Sequence, residues 1–205
     1  MKAPHRLKGG RLDRDWPLTF TFNGVAYPGF KGDTLASALI ANGIHLVGRS
    51  FKYHRPRGIL SAGAEEPNAI VQLGEGARTE PNARATQVEL VEGMTARSVN
   101  VWPSVEFDLN AVNGLAARLF VAGFYYKTFM GPKGFWEKVY EPMIRKAAGW
   151  GTAPTEADPD TYDRMNAHCE VLVVGAGPAG IAAALAGARA GARVILVDEQ
   201  AEAGG

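Results

Sequence analysis

The chain has 205 residues, of which 46% are hydrophobic and 21% charged, and its formal net charge is +1. That balance is too apolar for a disordered chain and gives no bulk electrostatic reason to bind nucleic acid or a membrane surface. One cysteine, Cys169, rules out an internal disulfide and cannot alone hold a metal or an iron–sulfur cluster. Met1 is followed by basic and polar residues rather than an apolar leader, so a cytoplasmic protein is expected.

Residues 1–15 carry Lys2, His5, Arg6, Lys8, Arg11 and Arg14 and read as a solvated basic arm. Leu18-Thr19-Phe20-Thr21-Phe22 then alternates at strand period. Asn23-Gly24 supplies the positive-φ pair of a type I′ turn, and Val25-Ala26-Tyr27 returns, which predicts a β-hairpin. Asp33 is placed to cap a helix over 34–41, with Leu35, Ala38 and Leu39 on one face and Gly43 as its stop. A loop rich in Arg, Gly and Pro covers 48–67; 69–73 and 87–91 read as strands, and Val99 and Val101 as part of another. Residues 16–105 are therefore expected to form a small α+β unit of the β-grasp kind.

Within the basic loop, His54 lies among Tyr53, Arg55 and Arg57. No Asp or Glu in the loop is placed to orient it, so a solvated or interface-facing loop is expected rather than a catalytic histidine. Arg55 and Arg57 have the geometry to match phosphate oxygens. Residues 106–165 read as a helical connector and linker: amphipathic stretches from Asn110 to Phe120 and from Phe135 to Ala148 flank the turn Gly131-Pro132-Lys133-Gly134. The aromatic residues dense in this region, Phe124, Tyr125, Tyr126, Phe129 and Trp136 among others, suit either a core or an interface.

The last stretch, 166–205, predicts the opening β-α-β of a Rossmann-type dinucleotide-binding domain, so the whole chain combines α+β and α/β parts. Val171-Leu172-Val173-Val174 is the apolar run of a buried parallel strand, and Gly175-Ala176-Gly177-Pro178-Ala179-Gly180 follows at once. Gly175 allows the tight turn, Gly177 lets backbone approach a pyrophosphate at a helix start, and Gly180 lets helix and strand pack closely. A second strand ends on Asp198, the place for a carboxylate that accepts from an adenosine ribose and repels a 2′-phosphate. NAD or FAD is expected over NADP, and the motif does not choose between them.

Three stretches taken in order resemble the N-terminal portion of heterotetrameric sarcosine oxidase alpha subunits. They are Gly48-Arg49-Ser50-Phe51-Lys52-Tyr53-His54-Arg55-Pro56-Arg57-Gly58, then Gly123-Phe124-Tyr125-Tyr126-Lys127-Thr128-Phe129 with Gly134-Phe135-Trp136-Glu137-Lys138-Val139-Tyr140-Glu141-Pro142, and the 171–199 unit. The resemblance implies an enzyme that demethylates sarcosine oxidatively to glycine, forms hydrogen peroxide and passes the one-carbon unit to tetrahydrofolate. It implies NAD in this subunit, FAD and FMN in the complex mainly through the beta subunit, and beta, gamma and delta partners. Ala179 and the run Asp198-Glu199-Gln200 fall where the family contacts NAD. The amine-oxidising site belongs to the beta subunit and the folate part to a later region, so no residue here is assigned a catalytic role or a metal. The chain is expected to be a fragment that stops inside its dinucleotide domain.

The N-terminal unit resembles the ferredoxin-like domain of this family and of related amine dehydrogenases and hydrogen cyanide synthases, whose cluster-bearing members need four cysteine thiolates. The loop after the helix offers Ser50, Ser61 and His54 but no cysteine. No [2Fe–2S] cluster is expected. A subunit of a related amine or opine dehydrogenase or hydrogen cyanide synthase, with FAD in the glycine-motif site, is the alternative; an assembly scaffold with a purely structural nucleotide is a third.

Overall fold

The computed structural model describes residues 3–10, 12–118, 122–123, 127, 129–149, 151–200 and 203–204. Lys2, Arg11, Phe120, the aromatic run 124–126 and Thr128, all named above, lie outside them. The chain divides into two compact units, Met1–Pro159 and Asp160–Gly205.

In the first unit, β1 (Asp13–Phe22) and β2 (Val25–Lys31) form the expected hairpin. Asn23 and Gly24 turn it with φ of 50° and 79°, the left-handed pair that a type I′ turn requires. The helix α1 (Leu35–Ala41) follows, then the two-residue strands β3 (Gly48–Arg49) and β4 (Pro56–Arg57), then β5 (Ile70–Leu73), β6 (Glu80–Arg84) and β7 (Thr95–Ser98). The five-stranded sheet runs β2-β1-β7-β5-β6, with β1 and β7 parallel and its other neighbours antiparallel. Leu35, Ala38 and Leu39 of α1 share one buried core with Phe20, Phe22, Val71 and Ala96 of the sheet. Each large side chain buried there contributes about 1.5–3 kcal/mol.

Several expectations change on folding. Thr34, not Asp33, caps α1: its Oγ1 accepts from the Ser37 N–H at 3.1 Å. Asp33 is fully buried instead, accepting from Arg6 at 3.1 and 2.7 Å, from the Phe30 N–H at 3.0 Å and from the Ser37 hydroxyl at 2.6 Å. Arg6 thus ties the expected solvated arm to the domain, and the His5 N–H adds a bond to the Ala41 carbonyl at 3.0 Å. A buried carboxylate demands such a partner.

Residues 87–91 make no sheet strand: Leu90 is buried and its N–H donates to the Asp33 carbonyl, while the Val88 carbonyl accepts from Leu35. The sheet strand lies earlier, at β6, whose Pro81 is tolerated on an edge that pairs on one side only. The last strand ends at Ser98, before Val99 and Val101, because Asn100 takes φ of 58° and leaves the extended conformation.

Beyond the sheet, the expected first connector helix is a 3₁₀ helix, Leu109–Ala116. Asn110, Asn113 and Gly114 are poor α-helix formers, which favours the tighter turn. The second stretch opens as a π-helical turn, Trp136–Tyr140, running into α2 (Glu141–Ala147). Pro142 there has no N–H to give the α-helical ladder.

The second unit contains β8 (Val171–Val174), α3 (Pro178–Arg189) and β9 (Val194–Val197). The strands pair in parallel from Val171 opposite Val194 to Val174 opposite Val197. Val173, Val194 and Ile195 are half-buried, whereas Leu172 is 58% exposed and Val174 78%. Among the described residues no helix is long and apolar enough to cross a membrane.

Candidate functional site

The loop between β8 and α3 brings Gly175, Gly177, Ala179 and Gly180 together. Gly175 turns out of the strand with φ of 103°, a conformation L side chains rarely adopt, and its N–H donates to the Val197 carbonyl at 2.8 Å. A Cβ at Gly180 would stand 1.8 Å from the Gly175 carbonyl oxygen, so the helix start can sit against the loop only without a side chain. Gly177 is different. Its φ of −67° suits any residue, and a Cβ there would meet nothing within 4 Å. The backbone at Gly177 therefore faces open space.

Gly177 carries no capping side chain, and Pro178 opens the helix without an N–H. The first helical bond joins the Ile181 N–H to the Gly177 carbonyl at 2.9 Å, which leaves the Ala179 and Gly180 N–H groups outside the ladder at the positive end of the helix. Asp198, at the end of β9, reaches back to this loop: one carboxylate oxygen accepts from the Ala176 N–H and the other from the Gln200 N–H at 2.7 Å. These two N–H groups, with that of Glu199, hold the Asp198 carboxyl below its usual range against a smaller opposing effect of desolvation. It is ionised at neutral pH, with lone pairs left for further donors. Glu199 and Gln200 are exposed beside it. One residue missed in the sequence joins them: the Gly204 N–H donates to the Ala176 carbonyl at 2.8 Å.

The basic loop of the first unit is not what its sequence predicts. His54 is 2% exposed, and its Nδ1 lies 2.6 Å from Asp108 Oδ2. The orienting acid lies outside the loop, 54 residues along the chain, where no local pattern could show it. Asp108 also accepts from the Trp102 and Asn110 N–H groups, each at 3.1 Å. Nε2 is the remaining polar atom of the ring. It belongs to a residue bordering an open cavity of about 620 Å³ together with Asn110, Asn113 and Lys146.

Arg49 secures the same loop, donating to the Val105, Glu106 and His54 carbonyls at 2.7–3.1 Å. Arg55 and Arg57 remain exposed, and the Arg55 guanidinium lies 4.9 Å from the Tyr53 ring centroid. The loop is thus hydrogen-bonded beneath and cationic outside.

Residues 15–101 match the family described as a 2Fe-2S iron-sulfur cluster binding domain, and residues 170–205 match the FAD dependent oxidoreductase family. The stretch 15–101 is thus similar to a ferredoxin-like domain, and it carries the mixed five-stranded sheet of the first unit. The chain is 64% identical over 204 residues to the sarcosine oxidase subunit alpha of Rhizobium meliloti (strain 1021), which covers 99% of this chain and 21% of that protein. It is 36% identical over 213 residues to the sarcosine oxidase subunit alpha of Corynebacterium sp. (strain U-96), covering 100% of this chain and 17% of that protein. The chain therefore spans about a fifth of the length of these relatives. A solved structure, the L-proline dehydrogenase from P. horikoshii, aligns with 18% identity and a TM-score of 0.45 over 94% of this chain and 26% of that one.

Proposed function

We propose that this chain, a relative of the sarcosine oxidase alpha subunits, supplies an NAD-holding and assembly region to a heterotetrameric flavoenzyme. That enzyme would demethylate sarcosine oxidatively to glycine, form hydrogen peroxide and pass the one-carbon unit to tetrahydrofolate. Its FAD and FMN would be held mainly through the beta subunit, with gamma and delta subunits completing a cytoplasmic complex. The sequence likeness carries the choice of enzyme.

The open backbone face at Gly177 carries the choice of site. It is a cradle that any side chain would fill, at the start of a helix whose first N–H groups are unused. On this reading 166–205 opens a Rossmann-type domain. Gly175, Gly177, Ala179 and Gly180 border the pyrophosphate, and Asp198 accepts from the adenosine ribose with Glu199 and Gln200 beside it. The ionised Asp198 repels a 2′-phosphate, which favours NAD over NADP. When bound, the nucleotide supplies a tightly held dinucleotide of redox capability. Arg55 and Arg57, presented on their braced loop, would take the FMN phosphate at the interface with the beta subunit.

The match of 170–205 to the FAD dependent oxidoreductase family supports a second reading, with FAD at the same site in an amine or opine dehydrogenase or hydrogen cyanide synthase. Dissociating the complete enzyme, isolating the full-length alpha subunit and weighing the released nucleotide separates the two. One NAD per alpha subunit is expected; FAD in its place would establish the second reading.

A further inference from the structure

The likeness of 15–101 to a 2Fe-2S domain sets a test that the residues of this chain fail. A [2Fe–2S] cluster needs four thiolates, or histidines in place of two of them, and 15–101 contains no cysteine. The single thiol, Cys169, lies in the other unit. Among the described residues no three His, Cys, Asp or Glu side chains are grouped to hold a metal ion. The cluster does not fit.

The loop over 58–69, between β4 and β5, is closed by a side chain instead. Glu66 is 1% exposed, and its carboxylate accepts four backbone hydrogen bonds. Oε2 takes the N–H groups of Leu60 at 2.7 Å and Ser61 at 2.6 Å; Oε1 takes those of Asn68 at 2.7 Å and Ala69 at 3.1 Å. Two donors precede Glu66 and two follow it, so one carboxylate ties both limbs of the loop. The Thr86 hydroxyl fastens the apex by donating to the Gly63 carbonyl at 2.7 Å. Burial pushes the Glu66 carboxyl up, but the N–H groups of Ser61, Asn68, Leu60 and Ala69 together outweigh it and hold the group below its usual range.

A buried cluster is an anion whose sulfurs take hydrogen bonds from the surrounding loop, and a buried carboxylate with converging N–H donors meets the same electrostatic demand without metal. We propose that Glu66 replaces the iron–sulfur cluster in this domain: its carboxylate is the anion around which the 58–69 loop closes, and the domain is not an electron relay. Electrons in the assembled enzyme would then leave by a route outside this domain. The inference rests on this loop alone and not on the nucleotide reading.

The test uses the full-length enzyme complex. Anaerobic treatment with ferrous iron and sulfide, followed by gel filtration, should leave no stoichiometric iron or acid-labile sulfide on the alpha subunit; two of each would overturn the proposal. Hydrogen exchange then reads the loop. In Glu66→Ala the amides of Leu60, Ser61, Asn68 and Ala69 should exchange about a hundredfold faster while those of β1 and β2 hold, and added formate should restore their protection. Unchanged exchange at the four amides would sink the role given to Glu66. If that variant does not accumulate, the wild-type complex answers by itself. Protection of the four amides should vanish as acid titrates Glu66 while the hairpin stays protected, and protection that persists with the hairpin's own would count against the proposal.

Discussion

Two loops of this chain gather backbone N–H groups, and they are completed in opposite ways. Around Glu66, four donors close on a carboxylate that belongs to the loop itself. At the glycine loop the Gly175 N–H goes to the Val197 carbonyl and the Ala176 N–H to Asp198, while the Ala179 and Gly180 N–H groups precede the first helical bond, beside the open face at Gly177. The same backbone chemistry serves folding in one place and binding in the other. An anion carried on the chain is already near its donors, whereas a ligand must surrender translational and rotational freedom on arrival. The first loop therefore fills its nest with Glu66, and the second keeps its centre free of side chains.

The largest expected effect tests the closed loop. Glu66→Ala strands four N–H groups in a buried site and should cost about 4 kcal/mol or more of stability in the first unit, read by denaturant unfolding. A loss below about 1 kcal/mol would erase the contrast between the loops. The pH dependence has a fixed sign. The folded-state pKa of Glu66 lies below its unfolded value of 4.5, so its stabilisation is complete above that pH and disappears as pH falls through the lower, folded value. Glu66→Gln should flatten that acid limb of the unfolding profile.

Next comes the brace beneath the basic loop. Asp108→Ala leaves His54 Nδ1 and the Trp102 and Asn110 N–H groups without their acceptor, and a cost of about 3 kcal/mol is expected by the same measurement. A neutral result would mean that Asp108 does not brace the loop.

At the open loop, Gly180→Ala should weaken nucleotide retention by the complete enzyme about a hundredfold, measured as nucleotide per alpha subunit, and leave unfolding of the first unit unchanged. The added methyl group can enter only by displacing the Gly175 carbonyl. Full retention would remove the loop from the site. The smallest effect concerns the cationic surface: Arg55→Ala with Arg57→Ala should lower FMN content about tenfold without altering stability, since both side chains are exposed. Unchanged FMN content and subunit assembly would separate the basic loop from flavin binding.

Much of this was legible in local pattern. The hairpin announced itself through Asn23-Gly24, and the β8–α3–β9 unit through an apolar run followed at once by spaced glycines, because both depend on residues adjacent in the chain. The strand at β6 was hidden because Pro81 lacks the N–H that a sheet ladder uses, and Glu80–Arg84 becomes an edge strand only because β5 pairs with it. Asp33 looked like a cap because helix starts favour its chemistry; the arrival of Arg6 drew it into the interior and left capping to Thr34.

By itself, then, the sequence determined the opening hairpin, the helix after it, the β-α-β order of the last unit, the missing thiolates and the glycine positions, since each follows from residue type and short-range spacing. Tertiary structure alone decided what satisfies the buried charges. Arg6 meets Asp33 across 27 residues and His54 meets Asp108 across 54, contacts that no periodicity encodes. The Glu66 pairings are short in sequence, but they form only where the folded loop excludes water, and that exclusion makes an unpaired carboxylate too costly to keep.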